Sequence, residues 1–371
     1  MAYKLLKYCL HSSFLLAALL FYQVSSGQTN FKPVEDWVKS NLRELGGRAV
    51  LMIYKDGRMI YSESFNKSGI RQKMGAKMIA RKTGKDAREL MADYDENSRI
   101  GLASCSKWLS AALVMTFADE GKLKLTDTVG KFLPVMSANG KGNITIEQCL
   151  SHTTGIKSNG VKENKELIHN VSSMEDAVKH IAIQPMEALP GEAFAYSSIG
   201  LQLAAAVIEK ISGKDFETLF AERIAKPCAM TNTDFGHKNV PLPAGGGQGT
   251  AGDYMIFLQM ILNKGVYNGQ RVLSENSVRL MQENHIAGKK ILHSPAQANN
   301  WGYGFGEWTM EDASFTKQPD AVSSPGMFGS FPWVDNKKGY SALLFSTNLK
   351  FKGRHERYSA LKALVDKAIS N

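Results

Sequence analysis

Little in this 371-residue chain supports covalent or metal-based cross-linking. It has four cysteines, and neither a CxxC nor an HExxH pattern occurs, so a locally encoded metal site has no support and neither metal nor organic cofactor is expected. Proline is scarce, 11 against 33 glycines, while 43% of residues are hydrophobic and 22% charged. That composition excludes a collagen-like repeat and a disordered chain and leaves a globular protein. Long apolar runs are missing too: the N-terminal stretch Phe14-Leu15-Leu16-Ala17-Ala18-Leu19-Leu20-Phe21 falls short of the ~20 residues that span a bilayer. The length corresponds to two or three units of ~150 residues.

What surrounds that apolar stretch is informative. Lys4 and Lys7 precede it and Ser25-Ser26-Gly27 follow, the layout of a secretory signal peptide over residues 1–27. A secreted or periplasmic protein with no membrane span after cleavage is expected, a retained anchor being the alternative. Cys9 lies ahead of the apolar run, which argues against bacterial lipidation. Cleavage removes two lysines and no acid, taking the formal charge from +10 to +8. Most of that charge is local. Between Lys67 and Arg88 stand eight basic residues and one acid, Asp86. No aromatic residue interleaves them, so nucleic acid is not an expected partner. A solvated helical face is the plain reading, and a lid attracting anionic substrate or envelope polymer is the other. The remaining cysteines, Cys105, Cys149 and Cys228, are odd in number and each has apolar neighbours, so they read as buried free thiols.

Periodicity sets the coarse architecture. Val34, Trp37, Val38 and Leu42 form the stripe of an amphipathic helix over residues 34–45. Two β-rich runs, 49–54 and 59–64, flank Lys55-Asp56-Gly57-Arg58, a hairpin signal. After the basic insertion, 66–96, a long helix is predicted over 104–120. The middle is mostly helical, with a capping box at Ser173 and Asp176 and a buried helix over 201–211 closed by Ser212-Gly213. β-prone runs return at 331–334 and 340–346, and a last helix covers 355–369. The expected fold is therefore α+β: an antiparallel sheet built from both ends of the chain (28–103 and 310–371), flanked by helices, with a mostly helical domain (104–309) inserted between them. A crevice between the two parts is the natural place for a site.

Two motifs compete for chemistry. The Gly245-Gly246-Gly247-Gln248-Gly249-Thr250-Ala251-Gly252 loop contains a formal GxGxxG, but Pro241-Leu242-Pro243 before it is no buried strand. Thr250 and Asp253 are better read as a helix cap. In Gly101-Leu102-Ala103-Ser104-Cys105-Ser106-Lys107-Trp108, Ser104 and Lys107 are three apart at a helix start and share a face. A serine hydroxyl needs a base to become a nucleophile, and a helix N-terminus disfavours an ammonium while favouring an alkoxide. Ser106 points about 100° away from its neighbour on a helix.

The Ser-Cys-Ser-Lys element, Asp119-Glu120-Gly121-Lys122-Leu123, Leu150-Ser151-His152-Thr153-Thr154-Gly155, Pro190-Gly191-Glu192 before Phe194-Ala195-Tyr196-Ser197-Ser198, and Ser323-Ser324-Pro325-Gly326 occur in an order that resembles the serine β-lactamase and penicillin-binding-protein superfamily. The resemblance is nearest to the class C β-lactamase-related esterases, amidases and D-aminopeptidases. It implies Ser104 as acylated nucleophile, Lys107 as base or electrostatic partner and Tyr196 as second base and acid, its phenol lowered by Lys107. It also implies an oxyanion hole from the backbone N–H groups of Ser104 and Met327, with Ser198, Ser324 and Gly326 against substrate.

Two departures narrow the expectation. Ser198 replaces the asparagine of the Tyr-x-Asn element, and Ser324-Pro325-Gly326 replaces Lys-Thr-Gly or His-x-Gly, so no cation waits for a substrate carboxylate. The sequence therefore reads as a secreted serine hydrolase acting on a small ester, amide or peptide-like molecule. A β-lactamase or D,D-peptidase and a non-catalytic penicillin-binding-like ligand binder are the alternatives. His152 reads as structural, and Trp301, Tyr303, Phe305 and Trp308 as either pocket wall or core.

Overall fold

The computed structural model describes residues 29–370 except 68, 85, 89–90, 159–170 and 317. The expected signal peptide lies outside the described residues. Among those residues no helix is long and apolar enough to cross a membrane.

Seven strands form the main sheet: β1 (Arg48–Lys55), β2 (Arg58–Asn66), β3 (Trp301–Tyr303), β4 (Trp308–Asp312), β5 (Ala321–Ser323), β6 (Phe331–Asp335) and β7 (Tyr340–Ser346). Their spatial order is β2-β1-β7-β6-β5-β4-β3, and every pairing is antiparallel. The hairpin predicted at Asp56-Gly57 is present, with φ of +51° and +77° at those two residues, the left-handed pair that matches the twist of a tight hairpin. The chain ends meet where β1 pairs with β7, Ala49 opposite Ser346 and Lys55 opposite Tyr340. The sheet also takes in β3 and the start of β4, ahead of the expected boundary at residue 310.

Because side chains alternate across a strand, β1 serves two cores. Ala49, Leu51 and Ile53 pack with Leu344, Ala342 and Trp333 beneath helices α1 (Lys32–Asn41) and α6 (Arg354–Ser370). Val50 and Met52 face the larger core, where β7 contributes Leu343 and Phe345. That second core is filled by α3 (Ser106–Asp119), α4 (Ile199–Ser212) and α5 (Ala251–Leu262). Strand β1 reads as an almost continuous apolar run because both of its faces are buried. The basic insertion forms α2 (Ile70–Thr83), which follows edge strand β2.

Helix boundaries follow local chemistry. The Thr250 hydroxyl accepts from Asp253 N–H at the start of α5, and the Ser173 hydroxyl from Asp176 N–H at the start of the helix Met174–Ala182. Gly213, left-handed at φ +70°, closes α4 as predicted. Helix α4 is buried from Ile199 to Ile208, and at Gly200 it lies directly on the Cys149 carbonyl, where a Cβ would overlap that oxygen. Gly200→Ala should therefore lower stability by about 1–3 kcal/mol. Thermal denaturation should show a melting temperature several degrees lower, and an unchanged value would contradict this contact.

Candidate active site

Before α3 the chain makes one 3₁₀ turn, Ala103–Cys105, with Ala103 held left-handed at φ +48°. A non-glycine residue there costs on the order of 1–3 kcal/mol. The turn is tied down on several sides. Leu102 N–H donates to the Gly247 carbonyl at 2.8 Å, the Tyr254 hydroxyl to the Cys105 carbonyl at 2.9 Å, and the Ser324 hydroxyl to the Ser104 carbonyl at 3.2 Å and the Gly306 carbonyl at 2.9 Å. Of the three side chains in Ser104-Cys105-Ser106, Ser104 is half-buried while Cys105 and Ser106 are buried. Ser106 accepts from Gly247 N–H at 3.0 Å, and burial pushes the Cys105 thiol up to about 12.

Lys107, 4% exposed, sits in the first turn of α3. Its ammonium donates to Ser104 Oγ at 3.3 Å and to the Ala244 carbonyl at 2.7 Å, and lies 4.6 Å from the centroid of the Tyr196 ring. Tyr196 arrives from a distant part of the chain, directly after the short strand Ala193–Ala195. Its backbone N–H donates to the His293 carbonyl at 3.1 Å, and its phenol interacts with the Ser104 side chain. Serine, lysine and tyrosine thus meet through Ser104 Oγ, across 92 positions of sequence between Ser104 and Tyr196.

One expectation needs correction. The Tyr196 phenol is raised rather than lowered, although the Lys107 ammonium lies over its ring. Burial pushes the phenol above its ordinary value, and the Ser104 side chain offsets this in part. Tyr196 is therefore a neutral phenol at rest, a proton donor first.

The third-motif residues are placed differently from one another. Ser324 is 1% exposed and its hydroxyl is spent on the two backbone carbonyls of the nucleophile turn and of Gly306, so it braces the turn. Gly326 lies against Leu102 and Cys105 and donates its N–H to the Ser330 carbonyl at 2.8 Å. Met327 follows, half-buried, with its carbonyl accepting from Arg354 Nη1 at 2.8 Å. Ser198 is buried at the N-cap position of α4, where its carbonyl accepts from Gln202 N–H.

Behind Tyr196 the aromatic residues are core. Trp301, Tyr303, Phe305 and Trp308 are all buried, and Tyr303 and Trp308 back the tyrosine with ring centroids 5.9 and 5.2 Å away. His152 donates to or accepts from the Tyr303 hydroxyl at 3.0 Å and meets the Tyr196 ring edge-on at 4.8 Å. Burial, reinforced by the Lys107 charge, holds its imidazole well below the usual range and hence neutral.

Sequence reasoning missed two groups here. The glycine-rich loop supplies the Ala244 carbonyl for Lys107 and the Gly247 amide and carbonyl that fasten the nucleophile turn; backbone roles leave no residue signature. Glu307 is 0% exposed, and neither of its oxygens has a hydrogen-bond partner among the described residues. Burial pushes its carboxyl well up, the Trp108 indole holding it back only in part. The preceding Gly306 packs so tightly on the Lys107 carbonyl that a Cβ would overlap it.

Above an unfolded carboxyl value near 4.5 the folded state keeps the Glu307 proton that the unfolded state releases. This one group therefore makes stability fall by about 1.4 kcal/mol per pH unit as pH rises from there toward its folded value. Glu307→Gln should be more thermostable than wild type at pH 8, with the gain shrinking toward pH 4.5. Melting curves across that range check the sign.

A family model described as Beta-lactamase matches residues 38–366. Protein Rv1367c of Mycobacterium tuberculosis is 26% identical over 285 residues, which are 62% of this chain and 71% of that protein. Among solved structures, a candidate beta-lactamase from Bacteroides dorei superposes with a TM-score of 0.76 at 23% identity, over 92% of this chain and 100% of that one. EstCE1, described as a hydrolase with promiscuous acyltransferase activity, gives a TM-score of 0.72 at 19% identity, over 94% and 100%. Both structural likenesses concern the fold. With a family match running across most of its length, the chain belongs to the beta-lactamase family of serine-hydrolase folds.

Proposed function

We propose that this protein is a serine hydrolase that cleaves an ester or amide bond through an acyl-enzyme on Ser104. The observation that carries this is a single oxygen, Ser104 Oγ, that accepts from the Lys107 ammonium at 3.3 Å while the Ser104 side chain interacts with the Tyr196 phenol and the same ammonium lies 4.6 Å from the Tyr196 ring centroid. In the proposed sequence a substrate displaces part of this network, the Lys107 ammonium releases a proton to solvent, and the neutral amine then takes the serine proton as Oγ attacks the acyl carbon. The oxyanion is met by the backbone N–H groups of Ser104 and Met327, each worth roughly 3 kcal/mol in such sites. Tyr196, neutral at rest, protonates the leaving alkoxide or amine. The resulting phenolate then draws a proton from the water that hydrolyses the acyl-enzyme, and Lys107 returns its proton to Ser104 Oγ as the acyl–oxygen bond breaks, which restores the neutral amine, the serine hydroxyl and the phenol.

The substrate class follows from what the third motif lacks. Ser324 carries no charge and faces backbone carbonyls, so nothing at that position holds a carboxylate. This supports neutral esters or amides over β-lactams and D-alanyl peptides. EstCE1, a hydrolase on the same fold, is consistent with that choice. Export by a signal peptide, followed by action outside the cytoplasm, completes the proposal.

A fluorophosphonate probe, a short-chain nitrophenyl ester and a chromogenic cephalosporin, offered to wild type and to Ser104→Ala and Tyr196→Phe, test it. The expected result is ester turnover that falls at least about 10³-fold in Ser104→Ala together with loss of probe labelling. In Tyr196→Phe, turnover should fall about 10²–10⁴-fold while labelling persists more slowly. Rapid cephalosporin turnover would point to a β-lactamase, and stoichiometric labelling without turnover to a ligand binder. Equal turnover by wild type and Ser104→Ala rejects the mechanism.

A further inference from the structure

The sheet end where β1 begins and β2 and β7 finish carries two segments of the same unusual chemistry. In α2, Met74 and Met78 are 67% and 57% exposed, one helical turn apart, and Lys77 and Arg81 beside them are exposed while Ala76 is buried. Positions 74, 77, 78 and 81 share one side of a helix, so the two methionines are bracketed by bases. In the loop that leaves β7, Leu349 and Phe351 are 64% and 46% exposed and alternate with exposed Lys350 and Lys352.

The two segments are tied to each other. Arg48, opening β1, donates to the Ala92 carbonyl at 2.6 Å and stands over the Tyr94 ring at 4.2 Å. Asn66, closing β2, exchanges hydrogen bonds with the Tyr94 backbone at 2.9 and 2.8 Å. The Tyr94 hydroxyl in turn donates to Thr347 Oγ1 at 3.1 Å, two residues before Leu349. Both ends of the basic insertion are thus fastened to the strand ends from which the second segment departs. Lys350 is paired with Glu44, and Asp86, the one acid between Lys67 and Arg88, with Arg88, so the cationic excess of the region is left largely intact.

Four large apolar side chains in water, each next to lysine or arginine, suit a phase boundary: the apolar groups enter at acyl depth while the cations stay level with phosphates. A soluble polyanion would use the charge and leave the methionines, leucine and phenylalanine wet. We infer that this end of the molecule docks on an anionic lipid surface. The docking face adjoins the candidate site: Asn348 donates its backbone N–H to the Phe328 carbonyl, and Arg354 joins the carbonyls of Met327 and Asn348. A bound molecule therefore holds the candidate site beside the lipid headgroups. The inference does not depend on the chemistry proposed for Ser104.

Vesicle co-sedimentation tests it, using the full chain with Leu15→Ser, Leu16→Ser, Leu19→Ser and Leu20→Ser so that the N-terminal run does not itself enter the bilayer. Partition into phosphatidylglycerol/phosphatidylcholine vesicles should exceed that into phosphatidylcholine alone by at least about tenfold and weaken with salt. Lys77→Glu/Arg81→Glu should reduce it by about tenfold or more. Met74→Ser/Met78→Ser and Leu349→Ser/Phe351→Ser should each reduce it several-fold, with Ser104→Ala unchanged. These side chains are exposed, so melting temperatures should hold; were one apolar pair to unfold, the other reads the same contact. Absence of partition, equal partition into both vesicle types, or apolar pairs without effect would overturn the inference. The last outcome, together with retention on heparin, would identify a polyanion site instead.

Discussion

A lysine buried in a helix with no wet face is the constraint on which the rest of the structure depends. Helix α3 is buried from Ser106 to Phe117, so the Lys107 ammonium has no route to bulk water along its own helix, and leaving it uncompensated would cost several kcal/mol. Its compensation includes Ser104 Oγ one turn back, the Ala244 carbonyl beside the glycine-rich loop, and the face of the Tyr196 ring. Each partner must be delivered accurately, and much of the local architecture does this delivery.

The left-handed Ala103 turns the chain into α3 so that Ser104 stands half-buried while Cys105 and Ser106 are buried. Ser324 and Tyr254 hold the carbonyls of that turn, and Gly306 lets the β3–β4 connection approach the Lys107 backbone. On the far side, His152 and Tyr303, hydrogen-bonded to each other, back the ring of Tyr196. The serine in the third motif is thereby part of the support for the nucleophile turn, which explains how the site dispenses with a cation there without losing its geometry.

The electrostatics around this point are uniform in direction. Burial keeps the Tyr196 phenol, the His152 imidazole and the Glu307 carboxyl in their neutral forms. A positive ammonium among neutral acids and bases sits in a low-dielectric pocket, where hydrogen bonds and developing charge interact more strongly than in water. Under the proposed chemistry, the environment that raises the phenol keeps it protonated until a more basic leaving group forms, and makes the phenolate a strong base for the returning water.

Much of the architecture was legible from local pattern, because periodicity, caps and turns are short-range. The β-rich run over 49–54 marked a strand, Asp56-Gly57 a hairpin, Ser173 and Thr250 helix starts, and Gly213 a helix end. The three-residue spacing of Ser104 and Lys107 marked a shared helical face, since 3.6 residues per turn brings them together wherever the helix lies. Tertiary structure decided what those side chains meet. That burial raises the Tyr196 phenol even with Lys107 over its ring, that Ser324 braces a backbone, and that a glycine-rich loop supplies carbonyl and amide partners all depend on contacts between segments scores of residues apart. Backbone groups and burial, which set those contacts and the protonation states that follow, are properties of packing density in three dimensions and leave no mark in the order of residue types.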